Sequence, residues 1–168
     1  MYEPSLRLPL LVRYPRLGVA AKVEDRMVMN IDYAPTILDF AGVPIPEGMQ
    51  GKSLRPLLEG KAPGDWRESI YYAYYENFWA MQKQKKGGMT DPSFQYFTAH
   101  RVAPHRGVRT GRYKLIEYYG EGDYWELFDL KNDHNELKNV YGEPASAQIT
   151  ADLERELRRL REQYHDAG

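Results

Sequence analysis

The sequence contains no cysteine, which removes disulfides, thiolate metal sites and a cysteine nucleophile from the chemistry this chain could carry. It also lacks an excess of charge of either sign, with 23 Lys and Arg against 24 Asp and Glu. No global field draws it to nucleic acid or to an anionic membrane, so electrostatic recognition has to be local, and neither is an expected partner. No apolar run approaches the roughly 18 residues of a membrane span, and no cationic start leads into an apolar stretch of signal-peptide type. An export signal, if the parent protein has one, is expected upstream. Repeats and low-complexity tracts are absent too.

What remains is the composition of an ordinary globular domain, 168 residues of which 42% are hydrophobic and 28% charged, enough to bury a core. The chain opens MYEPSLRLPLLVRYP, whose residues 8–14 read as a strand buried on both faces. Such a strand with no partner before it belongs in the middle of a sheet. Residues 30–42 read as a short helix with Asp32 as N-cap, Pro35 in the first turn and Gly42 at the left-handed stop; Ile37, Leu38 and Ala41 fall on one face. Residues 53–60 give a single turn ending at Gly60. From residue 69 the pattern becomes β: 69–76, 107–110, 113–119 and 125–130 are rich in aromatic and β-branched residues, and Gly111 and the stretch 120–123 separate the last three. An antiparallel meander of about four strands is expected. Ile149, Leu153, Leu157, Leu160 and Tyr164 recur at helical spacing, so a C-terminal helix covers the meander. The fold class is α+β.

The charge is unevenly spread. Between Met81 and Glu117 stand eight basic residues (Lys83, Lys85, Lys86, Arg101, Arg106, Arg109, Arg112, Lys114) and two acids, Asp91 and Glu117. The same stretch holds much of a long insert, residues 77–106, of a length that is functional or disordered in compact domains. Aromatic residues precede it, and His100, His105 and Arg106 close it. Aromatic faces stack on sugar rings, and Arg or His forms charge-assisted bonds to carboxylate or sulfate. Tyr75, Glu76, His100, His105 and Arg106 are therefore the candidate substrate-binding residues. The alternative is strand packing by Tyr71, Tyr72 and Tyr74, with Arg109, Arg112 and Lys114 as a solvated face. Glu3 and Arg7 form either an i,i+4 ion pair or a substrate contact, and the spacing favours the pair. Asp133 and Glu136 have capping-box spacing; the competing reading, Asp129, Asp133 and Glu136 as metal ligands, is not needed to explain the turn.

In order, MYEPSLRLPLLVRYP, NIDYAPTILDFAGVPIPEGMQGKSLRPLLEG, GVRTGRYKLIEYY and WELFDLKNDHNELKN resemble the C-terminal part of type I sulfatases of the alkaline phosphatase superfamily. The resemblance is to the glycan sulfatases and to the N-sulfoglucosamine sulfohydrolase and iduronate sulfatase branches. It covers almost the whole chain, thinning in the insert and the last helix; His134 stands where the family's turn carries Pro. It implies that residues 1–60 are the tail of an α/β catalytic domain, with 8–14 a late strand of its large sheet, and that 61–168 form a C-terminal subdomain. It places His105 and Arg106 next to the catalytic cleft. The family's nucleophile motif, Cys or Ser followed by x-Pro-x-Arg and oxidised to formylglycine, is not in this sequence, nor are the paired carboxylates and Asp-Asn of its calcium site. The sulfate-holding Lys and His would lie just upstream of Met1. The resemblance thus implies no catalytic residue, metal site or cofactor in this chain, with calcium and formylglycine belonging to the full-length relative. It implies as partners an N-terminal catalytic portion and a sulfated glycan, and a periplasmic or extracellular location. Two other classes stay open: a stand-alone binding module for anionic saccharides, and the C-terminal part of a related phosphodiesterase or phosphonate hydrolase.

Overall fold

The computed structural model describes residues 1–75, 102–119 and 124–166. Its centre is a sheet of four antiparallel strands, β1 (Ser69–Tyr74), β2 (His105–Thr110), β3 (Tyr113–Tyr118) and β4 (Tyr124–Asp129), in the spatial order β1-β2-β3-β4. This is the expected meander. Gly111 and Arg112 alone join β2 to β3, and Thr110 Oγ1 accepts the Tyr113 N–H at 3.0 Å to close the turn. Such a short connection fixes register, so that His105 lies opposite Tyr118 and Arg106 opposite Glu117.

Alternation along the strands gives the sheet two faces, and both are covered. On one, Tyr71, Val108, Leu115 and Leu127 pack against Leu153, Leu157 and Leu160 of the long C-terminal helix, which runs Ala147–Gln163. The helical spacing read from the sequence is the spacing of its buried stripe. On the other face, Tyr72, Ile116 and Phe128 are covered by Met1 and Leu6, the latter the last residue of the one-turn helix α1 (Glu3–Leu6). A third cluster, Leu54, Leu57 and Trp66, lies under α3 (Arg55–Leu58), which follows α2 (Tyr33–Ala41). The C-terminal helix is α4 hereafter.

Two local expectations are corrected. Residues 8–14 do not form a strand: among the described residues no neighbouring strand offers them a ladder, and Leu8 and Leu11 stand 74% and 94% exposed. Apolar composition supplies the side chains of a buried strand but not its hydrogen-bond partners. The helix α2 does stop at Gly42, left-handed at φ 69°, yet Ile37 is 68% exposed and the buried residues are Pro35 and Thr36. A polar hub decides which side faces inward. The Asp32 carboxylate accepts the Met29 N–H at 2.7 Å and the Lys52 N–H at 2.8 Å and binds the Arg67 guanidinium through both oxygens. It is fully buried; it holds three segments together and makes no side-chain cap on α2.

The sheet is tightest at Gly107, where an added Cβ would lie 2.4 Å from the Leu115 carbonyl oxygen and 2.4 Å from the Tyr72 hydroxyl. Gly107→Ala is expected to lower stability by about 1–3 kcal/mol, the usual cost of overpacking. Gly111→Ala, with nothing within 4 Å, serves as the control. Urea denaturation of both variants checks the contrast.

Candidate functional site

The face under α1 contains the group with the strongest demands in the molecule. Lys114, on β3, has no exposed side-chain surface, and its Nζ lies 2.8 Å from Glu3 Oε1 and 2.6 Å from Glu136 Oε1. The contacts are ionic, with no well-aligned hydrogen bond at Nζ. Arg109 adds a second cation 3.3 Å from Glu3 Oε2, and the Glu3 N–H donates to Glu136 Oε2 at 2.6 Å. Glu136 reaches this position from a left-handed backbone, φ 56°, a conformation that costs a non-glycine residue energy and persists only when the surroundings impose it.

This cluster overturns three readings. Lys114 is buried, not part of a solvated face, because alternation places it with Ile116 on the side that α1 covers. Glu3 pairs with Lys114 and Arg109, not with Arg7, because α1 lies on the sheet and turns Glu3 toward it. Glu136 does not complete a capping box; the Asp133 carboxylate accepts the Lys138 N–H at 2.8 Å instead. Arg112, expected to be solvated, forms two bonds to Asp129 at 2.7 and 3.0 Å while remaining half exposed, which holds the Asp129 carboxyl down to about 2.

The second arrangement lies at the sheet end where β1 stops and β2 starts. The register lines up Tyr74, His105, Tyr118 and Tyr124 across all four strands. Their rings sit 5.5, 5.2 and 5.8 Å apart in succession, within the range of favourable aromatic contact. His105 is 2% exposed. Its Nδ1 lies 2.8 Å from the Ala103 carbonyl oxygen, which makes Nδ1 the N–H donor, and its Nε2 lies 2.8 Å from the Met1 nitrogen. Burial pushes its pKa below the ordinary 6.5, against the raising effect of the Ala103 bond. Beside the row, Glu126 accepts the hydroxyl of Tyr2 at 3.1 Å and that of Tyr118 at 3.3 Å.

Successive residues of a strand point to opposite faces, so Arg106 leaves His105 and turns toward the α4 side. There its Nε donates to Glu117 Oε2 at 2.5 Å, and its guanidinium lies 4.8 Å from the Tyr119 ring centre. Tyr75, 60% exposed, follows directly after β1. Of the five candidates, the structure brings Tyr75, His105 and Arg106 to one sheet end, with His105 and Arg106 on opposite faces; Glu76 and His100 lie outside the described residues. Sequence reasoning missed Tyr2, Tyr118, Tyr124 and Glu126. The alternation in WELFDL carried a signal for the last, since Glu126 shares its face with the buried Phe128.

Four carboxylates are paired with cations: Asp32 with Arg67, Glu3 and Glu136 with Lys114, and Asp129 with Arg112. No group of three or more His, Asp or Glu is gathered as a metal cage among the described residues. Tyr75 and Tyr124, 60% and 53% exposed, have the chemistry of a surface for a polar ring, and the buried Arg106 behind them is paired with Glu117.

Lys114→Met leaves Glu136 buried without its cation and Glu3 with Arg109 alone, and is expected to cost about 3–5 kcal/mol at neutral pH. The Glu3 carboxyl is held below its ordinary 4.5: burial opposes this, and the adjacent Lys114 and Arg109 cations prevail. A depressed carboxyl stabilises the fold above its unfolded pKa, and that contribution is lost as pH falls through the folded value. The stability gap between wild type and Lys114→Met is therefore largest above pH 4.5 and narrows on acidification. Urea titrations at a series of pH values measure it; a gap independent of pH contradicts the assignment.

Three comparisons bear on this arrangement. The sequence profile of the family described as N-sulphoglucosamine sulphohydrolase, C-terminal, matches residues 1–93 and 82–163. The N-acetylglucosamine-6-O-sulfatase of Bacteroides thetaiotaomicron is 40% identical over 168 residues, 99% of this chain and 27% of its own length. A solved complex of a protein with its substrate D-glucosamine-2-N,6-O-disulfate superposes with a TM-score of 0.67 at 38% identity, covering 83% of this chain and 25% of that one. The phosphonate monoester hydrolase of Silicibacter pomeroyi gives a TM-score of 0.60 at 32% identity, over 81% of this chain and 25% of its own. The chain spans about a quarter of the length of the relatives it matches.

Proposed function

Because the chain belongs to the family described as N-sulphoglucosamine sulphohydrolase, C-terminal, the C-terminal portion of type I sulfatases, we propose that it serves an enzyme that hydrolyses sulfate esters or sulfamates on a glycan. The observation that carries this reading is the 40% identity, across 99% of the chain, to an N-acetylglucosamine-6-O-sulfatase. The likeness to a structure holding a disulfated glucosamine supports the same substrate class.

In this reading residues 61–168 are the C-terminal subdomain and residues 1–60 the tail of the catalytic domain. The exposed Leu8, Leu11 and Val12 are the surface that an N-terminal catalytic portion covers. That portion supplies the formylglycine nucleophile and the calcium site. The chain's own contribution is one wall of the substrate pocket, made by the sheet end of Tyr75, His105 and Arg106. Tyr75 and Tyr124 present faces to sugar rings, Arg106 gives that end a permanent charge, and Glu76 and His100 belong to the same wall by their place in the sequence. Enzymes of this kind act in the periplasm or outside the cell, the location proposed here.

A phosphonate or phosphodiester hydrolase is the second reading, favoured by the likeness to the Silicibacter pomeroyi enzyme at 32% identity. Assay of the intact enzyme against sulfated glucosamine, an aryl sulfate and a phosphonate monoester separates the two.

This chain alone is expected to show no turnover of any sulfate ester; turnover abolished by one substitution within it contradicts the proposal. In the intact enzyme, Arg106→Ala is expected to lower kcat/KM on the sulfated glycan about ten- to a hundred-fold, the loss of one charge-assisted bond. A small aryl sulfate, which does not reach the wall, should be nearly unaffected. His105→Ala should act in the same direction, and Arg112→Ala, whose pair with Asp129 is at the surface, should do little to either substrate. Equal losses on both substrates mean that the region acts through stability instead.

A further inference from the structure

The α4 side of the sheet carries polar and aromatic residues that the proposed wall does not use. The register puts Arg106, Glu117 and Trp125 in one row across β2, β3 and β4, one position in from the row of His105 and on the opposite face. Trp125 lies at the edge of the sheet, since β4 is its last strand. The chain returns to it after β4. Tyr141 stacks on Trp125 with ring centres 5.6 Å apart and planes 12° apart, and both rings pack against the core that α4 covers. The pair is therefore a fixed, half-buried aromatic surface.

Beside it, α4 brings Glu154, Arg158 and Arg161 at helical spacing. With Glu117, Trp125 and Tyr141 these residues line a cleft of about 230 Å³, below the roughly 300–1,000 Å³ of a pocket for a drug-sized ligand and suited to a single small ring. Two acids and two bases balance, so the cleft has no net field that would draw a polyanion. Its hydrogen-bonding groups are only partly used. Glu117 Oε2 accepts from Arg106, and Glu154 Oε1 accepts from the Tyr141 hydroxyl at 3.1 Å, while the second oxygen of each carboxylate has no partner among the described residues. The α4 arginines Arg155, Arg159 and Arg161 face carboxylates at 3.2, 2.7 and 3.8 Å. Among the described residues Arg158 has no partner, and the Trp125 indole N–H donates to no group.

Free acceptors, free donors and an aromatic surface together match an uncharged N-acetylated sugar. Its hydroxyls donate to carboxylates, its amide carbonyl oxygen accepts from a guanidinium or indole N–H, and its apolar ring face packs on an aromatic ring. A sulfate in the same cleft would meet the two carboxylates, a like-charge contact that is costly. We propose that the cleft between α4 and the β4 edge binds one neutral N-acetylhexosamine ring, held by Glu117, Trp125, Tyr141, Glu154 and Arg158. That this ring belongs to a substrate glycan, whose sulfated ring lies elsewhere, rests on the reading given above; the binding itself does not.

The test is a titration of this chain, labelled with nitrogen-15, with N-acetylglucosamine, followed at the indole N–H resonances. Trp125→Phe assigns the resonance of Trp125. In the wild type that resonance should shift and saturate, while the resonance of Trp66, whose N–H donates to the Met27 carbonyl oxygen at 2.9 Å, stays in place. Arg158→Ala, at an exposed position of α4, should raise Kd about ten-fold, the loss of one charge-assisted bond. N-acetylglucosamine 6-O-sulfate should bind more weakly than the neutral sugar, and Glu154→Gln, which keeps an acceptor for Tyr141, should narrow that difference. Absence of a saturable shift at Trp125, an unchanged Kd in Arg158→Ala, or tighter binding of the sulfated sugar overturns the proposal. The titration involves no turnover, so its failure leaves the assays of the intact enzyme untouched, and failure of those assays leaves the cleft as it is.

Discussion

A buried ammonium is tolerated in a protein only where opposite charge is brought to it, since desolvation costs several kcal/mol and water cannot return to relieve it. Lys114 imposes that condition here. Its Nζ has no exposed surface, and the two carboxylates that answer it come from distant parts of the chain. Glu3 arrives with α1, and Glu136 arrives from the turn after β4 in a left-handed conformation it would not otherwise adopt. Once these are placed, Arg109 on the neighbouring strand is brought to the same carboxylate, and the second face of the sheet is closed. Four sequence segments that look unrelated, MYEP, GVRT, RYKL and NDHNE, each give one member: Glu3, Arg109, Lys114 and Glu136.

That convergence also explains what could and could not be read from the sequence. The four strands, their order, the turn at Gly111 and the buried stripe of α4 depend on local patterns, namely alternation, glycine and helical spacing, and each was legible. Lys114 was not. A lysine between Tyr113 and Leu115 on a strand reads as the wet side of a two-faced sheet, and nothing local says that α1 will cover that side. The helix α2 misled for the same reason: Ile37, Leu38 and Ala41 are a plausible buried face until Asp32, held by Arg67, turns the helix on Pro35 and Thr36 instead. Residues 8–14 show the opposite case, in which apolar composition was read correctly and the partner strand it calls for is not among the described residues. Of the candidate site, His105, Arg106 and Tyr75 were found from residue type and position, but the strand alternation that separates His105 from Arg106 was overlooked.

The two arrangements divide the work of the proposed enzyme. The ion cluster fixes geometry in a water-free interior, where it is costly to disturb and has no access to substrate. At the sheet end the exposed groups are Tyr75 and Tyr124, while His105 and Arg106 are buried behind them on opposite faces. Tyr2 and Glu3 join the two, because consecutive residues touch Glu126 and Lys114 in turn.

The central claim is that α1 is an integral part of the sheet's structure through Lys114, not a loosely attached end. Native-state hydrogen exchange tests it most directly, at the amide of Glu3, which donates to Glu136 Oε2 at 2.6 Å. If the cluster locks α1 to the sheet, this amide exchanges only with global unfolding, at the same free energy as the amides of Val108 and Leu115 in the core. Exchange at the rate of a frayed terminus, with the sheet amides still protected, would contradict the account.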